Sequence, residues 1–388
     1  MTPDAIRARF PALSAHTFLN AASEGPMPGE AVRSAENLAR LKSTPWEIGM
    51  EYYYQVPAAV RARLTALIGA PQGSVGLVGG TSAGIGIAAR GLPVAEGDEI
   101  LLLEGQFPSN IHPWGAAVRR GARVRVAPRP LGADPTDAVL AALSPRTRIV
   151  SVDWVSFIDG AVCDLGALGS LLRARDIRFV VDGAQGVGAL RLDWPAAGID
   201  VLAAPSHKWL LGPVGCGFLA VAPERLDAIQ DWNSGWVNLA MAGGFRNLLQ
   251  GDGAPPPDAT RFETGSPAYA LLAPWGASLD LLAEIGAEAI EQRVTALAGR
   301  TLDGVLALAP AHGGRRGLVL VSPPPGARRS GIVAFRAQGE ETIALYRSLT
   351  AARITVALRE GSIRAAPHLY NTEDEIDALL AACRSFLA

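Results

Sequence analysis

Lysine is the residue this 388-residue chain has least reason to keep. Of its 35 basic residues only Lys42 and Lys208 are lysines; the other 33 are arginines. Where arginine supplies the generic surface charge, a surviving lysine marks a place for amine chemistry, because a guanidinium neither loses its proton nor forms a Schiff base. Lys42 stands in a polar stretch before Ser43, Thr44 and Pro45 and reads as surface, whereas Lys208, in Ser206-His207-Lys208-Trp209, calls for an explanation. Cysteine is almost as scarce. Cys163, Cys216 and Cys383 have no C-x-x-C spacing, which argues against a zinc site or a disulfide framework and for a reducing, cytoplasmic location. Neither charge is in excess: 35 basic against 37 acidic residues leave a net −2, with no footprint for nucleic acid and no polybasic patch for a membrane. No apolar run reaches the roughly 18 residues of a membrane span. The first ten residues carry Asp4, Arg7 and Arg9 in place of a signal-peptide core. A soluble protein without a metal site is expected.

What the chain does have is apolar mass. It is 49% hydrophobic and 19% charged, enough for a large core, and its length suits two domains. Between about residues 74 and 221, short apolar runs alternate with helical patterns. Strands are predicted at Val75–Val78, Glu99–Leu103, Arg123–Ala127, Ile149–Val155, Ile177–Val181, Val201–Ala204 and Cys216–Val221, with an amphipathic helix at Leu165–Arg175 among the intervening stretches. This is the pattern of an α/β domain with a mostly parallel sheet flanked by helices, whose ligands bind beyond the carboxyl ends of the strands. Residues 222–259, rich in Gly, Trp and Pro, read as a long functional excursion. A helix at Ala268–Glu284 leads to a smaller α+β C-terminal unit with strands near Leu318–Val321, Gly331–Arg336 and Ile354–Leu358 and a closing helix at Asp374–Leu387. The expected division is an N-terminal segment, 1–20, packed on the small unit; a large domain, 21–270; and a small domain, 271–388.

Four strand ends carry chemistry. Gly79-Gly80-Thr81-Ser82 opens a helix, where hydroxyls and free N–H groups suit an anion, or where Thr and Ser simply cap. The overlapping Gly84-Ile85-Gly86-Ile87-Ala88-Ala89 fits the dinucleotide pattern G-x-G-x-x-A, but the turn precedes it, which puts those glycines inside the helix. Asp182 ends the strand at Ile177–Val181, where an unpaired charge would be costly, so it either caps or faces a cationic heteroatom. Phe107 follows the strand Glu99–Leu103, and His207 and Lys208 follow Val201–Ala204. An anion-binding helix start, a buried carboxylate, an aromatic face and one amine together match the needs of pyridoxal 5′-phosphate. The amine forms the Schiff base, the carboxylate keeps the pyridine nitrogen protonated, and the helix start takes the phosphate.

These motifs, in this order with Arg261-Phe262-Glu263-Thr264-Gly265-Ser266-Pro267 and the stretch from Arg364 to Asn371, resemble the class V aminotransferase-type enzymes of fold type I. That group contains cysteine desulfurases, isopenicillin N epimerase-like proteins and related lyases. The resemblance runs from Asn20-Ala21-Ala22 nearly to the end of the chain, and it implies the pyridoxal phosphate-dependent transferase fold. By position it implies that Lys208 carries the cofactor, that Asp182 pairs with the pyridine nitrogen and that Gln185 contacts the phenolic oxygen. Thr81, Ser82 and His207 would reach the phosphate. Phe107 stands in place of a stacking histidine, Phe157 in place of an asparagine, and Pro205 in place of a phosphate-binding hydroxyl, which leaves open whether Ser206 substitutes. Arg364 would bind the substrate carboxylate, with Arg359 and Asn20 beside it, and Ser266 would reach the neighbouring subunit's phosphate in a homodimer with shared active sites.

Desulfurases attack sulfur with a cysteine on the loop between the two arginines; here four residues separate Arg359 from Arg364 and none is cysteine. A conventional cysteine desulfurase is therefore not expected. The resemblance points to a transaminase-type enzyme acting on an amino acid. A lyase eliminating the sulfur of a cysteine derivative and an amino-acid epimerase are the alternatives, and a non-catalytic regulator with this fold is an alternative of another class.

Overall fold

The computed structural model describes residues 1–230, 254–310 and 316–388. Seven strands make the large sheet: β1 (Val75–Val78), β2 (Glu99–Leu103), β3 (Arg123–Ala127), β4 (Thr147–Asp153), β5 (Arg178–Asp182), β6 (Val201–Pro205) and β7 (Gly217–Val221). Their order across the sheet is β1-β7-β6-β5-β4-β2-β3. From β6 to β3 all neighbours run parallel; β7 is antiparallel to both β6 and β1. β5, β6 and β7 are almost entirely buried, which explains why they read as unbroken apolar runs rather than alternating ones.

Helix α1 (Thr81–Gly91) lies against the sheet, and Gly84 is what lets it. A Cβ there would stand 2.6 Å from Cβ of Ala203 on β6. The two glycines of the apparent dinucleotide pattern thus sit within a helix. Helix α2 (Leu165–Ala174) is started by Asp164, whose side chain accepts from the Ala167 amide, and it buries Leu165, Leu168 and Leu172.

The second sheet has four antiparallel strands in the order β10-β11-β9-β8: β8 (Leu318–Leu320), β9 (Val333–Ala337), β10 (Ala357–Arg359) and β11 (Ser362–Ala365). The predicted run at Ile354–Leu358 is split, Ile354–Thr355 pairing instead with Thr17–Phe18. Helix α3 (Tyr269–Ile285) buries Leu272, Trp275, Leu279 and Leu282 in the same core as the large sheet, so that core extends past residue 270. Helices α4 (Ala287–Ala307) and α5 (Glu373–Leu387) cover the second sheet, whose core includes Leu302, Phe335, Ile363 and Leu379. The N-terminal segment touches both: Phe10 packs on Tyr370, Arg7 pairs with Glu375, and Ile6 and Leu13 join the large core. Among the described residues no helix is long and apolar enough to cross a membrane.

Candidate active site

The carboxyl ends of β4, β5 and β6 open into a cavity of about 350 Å³, a size that suits a small cofactor. It is lined by Thr81, Ser82, Phe107, Asp182, Gln185, His207, Lys208, Arg359 and Arg364. Sequence positions more than 280 residues apart thus meet in one place.

At the start of α1 the N-cap is Gly80, with no side-chain cap, and Thr81 Oγ1 is buried without a partner. The hydroxyls here do not cap the helix, so its first N–H groups and Thr81 remain available to an anion. Ser82 Oγ lies 2.7 Å from Ser109 Oγ. Across the cavity, Asp182 accepts the Ala184 amide on Oδ1 at 2.9 Å, while Oδ2 is buried with no partner. Burial pushes its carboxyl up to about 6, against the Ala184 bond and the Lys208 charge, which favour the ionised form. An orphaned buried carboxylate oxygen of this kind fits a protonated ring nitrogen.

Lys208 Nζ stands over the Phe107 ring, 5.3 Å from its centroid. Burial lowers its pKa from 10.5. His207 is likewise lowered by burial and by Lys208, and its Nδ1 has no partner. Gln185 has its amide orientation fixed twice over. The Trp209 indole, which can only donate, gives to Oε1 at 2.8 Å, and Nε2 donates to the Ala22 carbonyl at 2.9 Å. One amide N–H of this cavity-lining residue is left to donate. The turn holding Ala22 is pinned by the Gly25 amide, which donates to the His207 carbonyl at 2.7 Å; a Cβ on Gly25 would collide with the Lys208 carbonyl.

The two arginines arrive on one hairpin. β10 and β11 are joined by Glu360 and Gly361, both at positive φ (44° and 71°), the geometry of a tight two-residue turn. Arg359 is paired with Ser362, and Arg364 with Ala357, which puts both arginines on the same face. Arg364 is 2% exposed; Nη1 donates to the Phe157 carbonyl at 2.8 Å, Nη2 to Ser23 Oγ at 2.8 Å, and Nε has no partner. Burial and the nearby Arg359 push it down to about 9, so it stays charged at neutral pH with an unmet demand for an anion. Arg359 also donates to Ser23 Oγ, at 3.4 Å. Only this two-residue turn separates the two arginine-bearing strands. No cysteine lines the cavity among the described residues, and Cys163, Cys216 and Cys383 are buried, with thiols pushed up by that burial.

Some sequence expectations fall elsewhere. Asn20 does not line the cavity: its backbone bridges Ala366 and its Oδ1 is buried without a partner, while Ser23, three residues on, makes the contacts to both arginines. Ser206 turns away, its hydroxyl within hydrogen-bond reach of the carbonyls of Pro213 and Cys216, and Pro205 lines the cavity in its place. Ser266 lines a neighbouring cavity with Thr264, Gly215 and Gly79, and does not cap α3, which starts one residue later than expected, at Tyr269. Most of the 222–259 excursion, with Trp232, Trp236 and Phe245, lies outside the described residues. The sequence reading missed Ser23, Trp209 and Asp153. Asp153, at the end of β4, sits where Asp182 sits on β5, and that repeated strand-end carboxylate was the available signal.

Among the described residues no group of acidic, histidine and cysteine side chains could hold a metal ion. Orphaned Thr81 Oγ1, Asp182 Oδ2 and His207 Nδ1 around one amine fit a phosphate-bearing pyridine aldehyde. Fold and site together define the pyridoxal phosphate-dependent enzymes of fold type I. The chain belongs to the aminotransferase class-V family, whose model matches residues 47–379. It is 30% identical to an uncharacterized aminotransferase, YcbU, of Bacillus subtilis over 96% of this chain and 95% of that one. It is 31% identical to isopenicillin N epimerase of Streptomyces clavuligerus, over 94% and 93%. Cysteine desulfurases are among the further relatives. Among solved structures, the cystine C–S lyase C-DES, seen with glycine linked covalently to its PLP cofactor, matches with a TM-score of 0.84 at 26% identity, over 97% of this chain and 98% of that one.

Proposed function

We propose that the protein carries pyridoxal phosphate on Lys208 and acts at the α-carbon of an amino acid, in a transaminase-type reaction. The observation that carries this reading is the meeting, in one cavity, of the Lys208 amine, the unpartnered Asp182 Oδ2 and the unpartnered Arg364 Nε. When bound, the cofactor supplies an electron sink that makes the substrate's Cα–H acidic. Asp182 would hold the ring nitrogen through Oδ2, Gln185 would donate its remaining N–H to the phenolic oxygen, and Thr81, Ser82 and His207 would hold the phosphate. Arg364 takes the α-carboxylate, two parallel N–H···O bonds fixing its orientation as well as its charge. The Lys208 amine, made less basic by burial, takes up the Cα proton and returns it. Arg359, solvent-exposed on the same hairpin face, is available to a second acidic group of the substrate.

β-Elimination from a cysteine derivative is the second reading, and the likeness to the C–S lyase C-DES favours it. It needs the same site and a substrate with a leaving group. Epimerisation needs a further proton donor opposite Lys208; besides His207, placed here with the phosphate, the described lining offers serine and threonine hydroxyls and no carboxyl beyond Asp182. A persulfide route is disfavoured by the two-residue turn and the absence of a lining cysteine. A purely regulatory role leaves the arginine pair without a purpose.

The holoprotein should be yellow, absorbing at about 410–430 nm. Borohydride reduction and peptide mapping should put the pyridoxyl group on Lys208. A label on Lys42, or no label, would remove the reading. Incubation with single amino acids then separates the reactions: a keto acid without loss of a side-chain group, pyruvate with thiol, or the D-isomer.

A further inference from the structure

Asp153 ends β4 as Asp182 ends β5, and the two are register partners on adjacent parallel strands, which puts their side chains on one face. Both are buried. Their bonding is opposite in kind. Asp182 keeps one oxygen free, whereas Asp153 is filled: Oδ2 accepts the Phe107 amide at 2.9 Å, and Oδ1 accepts Asn110 Nδ2 at 3.0 Å with Gln106 Nε2 farther off at 3.5 Å.

All three donors belong to the single turn Gln106–Asn110, and their orientations are fixed from behind. The Ser151 hydroxyl donates to Asn110 Oδ1, which commits that amide's N–H groups to Asp153. The Leu103 amide donates to Gln106 Oε1 at 2.7 Å, which commits Gln106 Nε2 to the Ser151 carbonyl and Asp153. The turn therefore offers the carboxyl only donors, an arrangement that binds the ionised form. Burial and the Asp182 charge push the other way and raise Asp153, with the Phe107 and Asn110 bonds and Lys208 countering them.

Phe107 is the turn's contribution to the cavity. The residue is 39% exposed; its ring is steadied on one side by an edge contact with Phe157 at 5.1 Å, and Lys208 Nζ lies over it. Two backbone bonds also hold the residue: its carbonyl accepts the Asn110 amide at 2.8 Å within the turn, and its amide donates to Asp153, the bond that ties it to β4.

We propose that Asp153 is a positioning residue for the cofactor: its carboxylate anchors the Gln106–Asn110 turn and so fixes the Phe107 ring as a wall of the cavity, leaving Asp182 alone to meet the ring nitrogen. This rests on Lys208 carrying pyridoxal phosphate, and the borohydride mapping tests that first and separately. Given a labelled Lys208, the inference is tested on holoenzyme of the wild type, Asp153→Asn, Phe107→Ala and the double variant. Asparagine keeps the size but puts an NH2 group where one carboxyl oxygen stood, so either the Phe107 or the Asn110 donor faces another donor.

Asp153→Asn should speed cofactor dissociation roughly tenfold, the scale of one lost hydrogen bond to a charged group. It should also weaken the visible circular dichroism of the bound cofactor. Phe107→Ala should do the same, and the double variant should be no worse than Phe107→Ala alone, because the two act through one ring. A lowered Tm with unchanged dissociation and visible dichroism would mean a merely structural role and would overturn the proposal, as would additive effects. The wild-type protein gives a check that needs no variant to fold. The Phe107 amide should resist hydrogen exchange in both loaded and cofactor-stripped protein, since its bond is to Asp153; rapid exchange in the stripped form would overturn the clamp.

Discussion

At Lys208 burial opposes the ammonium form, Asp182 favours it, Arg364 opposes it, Asp153 favours it and Arg359 opposes it; the net effect lowers its pKa. A depressed value means that the free amine appears at lower pH than for an ordinary lysine. Covalent capture of pyridoxal phosphate by the cofactor-free protein should therefore speed up with rising pH and level off below 10.5, the ordinary lysine value. Stopped-flow absorbance across a pH series measures this, and a rate still climbing past that value would contradict it. Arg364 is the other residue whose environment asks for a partner. Its guanidinium is buried, bonded by neutral groups and pushed down by Arg359, so a carboxylate is the ligand it lacks. Arg364→Ala should raise KM and cut kcat/KM by roughly two orders of magnitude, in line with about 2–5 kcal/mol for truncating one partner of a buried charge pair. The absorption of the bound cofactor should not change, because other residues hold it. If instead KM were untouched by Arg364→Ala and lost with Arg359→Ala, the two arginines would exchange roles.

The elements themselves were largely legible. β1, β2 and β3 match the predicted strands residue for residue, and β4 through β7 differ by one or two residues at one or both ends, because the buried strands read as continuous apolar runs and the partly exposed edge strand β3, RVRVA, as an alternating one. Less legible was anything decided by contact between distant segments. That Ile354–Thr355 leaves its neighbours to pair with Thr17–Phe18 follows from a pairing across more than 330 residues, which local pattern does not encode. The same holds at the site. Lys208 and Asp182 announced themselves by residue type at strand ends, while Ser23 and Trp209 act through partners on other segments, Arg364 and Gln185. Gly84 shows how misleading a short pattern is: its spacing matched a nucleotide fingerprint, and its role is to let α1 approach β6. Gly84→Ala should push the start of α1, with Thr81 and Ser82, off the sheet, costing about 1–3 kcal/mol of stability and weakening cofactor affinity. On the same helix Gly86→Ala meets only the tip of the Arg90 side chain, at 3.0 Å, and should cost far less or gain slightly from better helix propensity. Urea midpoints and cofactor titrations on the pair measure both effects; equal behaviour of the two variants would refute the packing argument.

For the whole molecule, the question is whether one chain completes the site. Ser266 and Thr264 lie with Gly79 around a second cavity of about 190 Å³, while Gly79 also lines the cavity that holds Lys208. In a single chain the Ser266 hydroxyl is therefore beside the phosphate region without lining it. We propose that two copies pair so that this segment of each serves the other's phosphate site, and the test uses subunit exchange. Consider Lys208→Ala protomers mixed with Ser266→Ala protomers. If the sites are shared, a mixed dimer contains one site with both defects and one with neither, since the intact Lys208 of the second protomer meets the intact Ser266 of the first. Mixing should then restore tight cofactor binding and turnover in up to one site per mixed dimer, above the mean of the two parent homodimers. If each chain builds its own site, every site carries one defect or the other, and mixing changes nothing. Light scattering should find a dimer at working concentrations, and a fully active monomer would refute the shared-site arrangement outright.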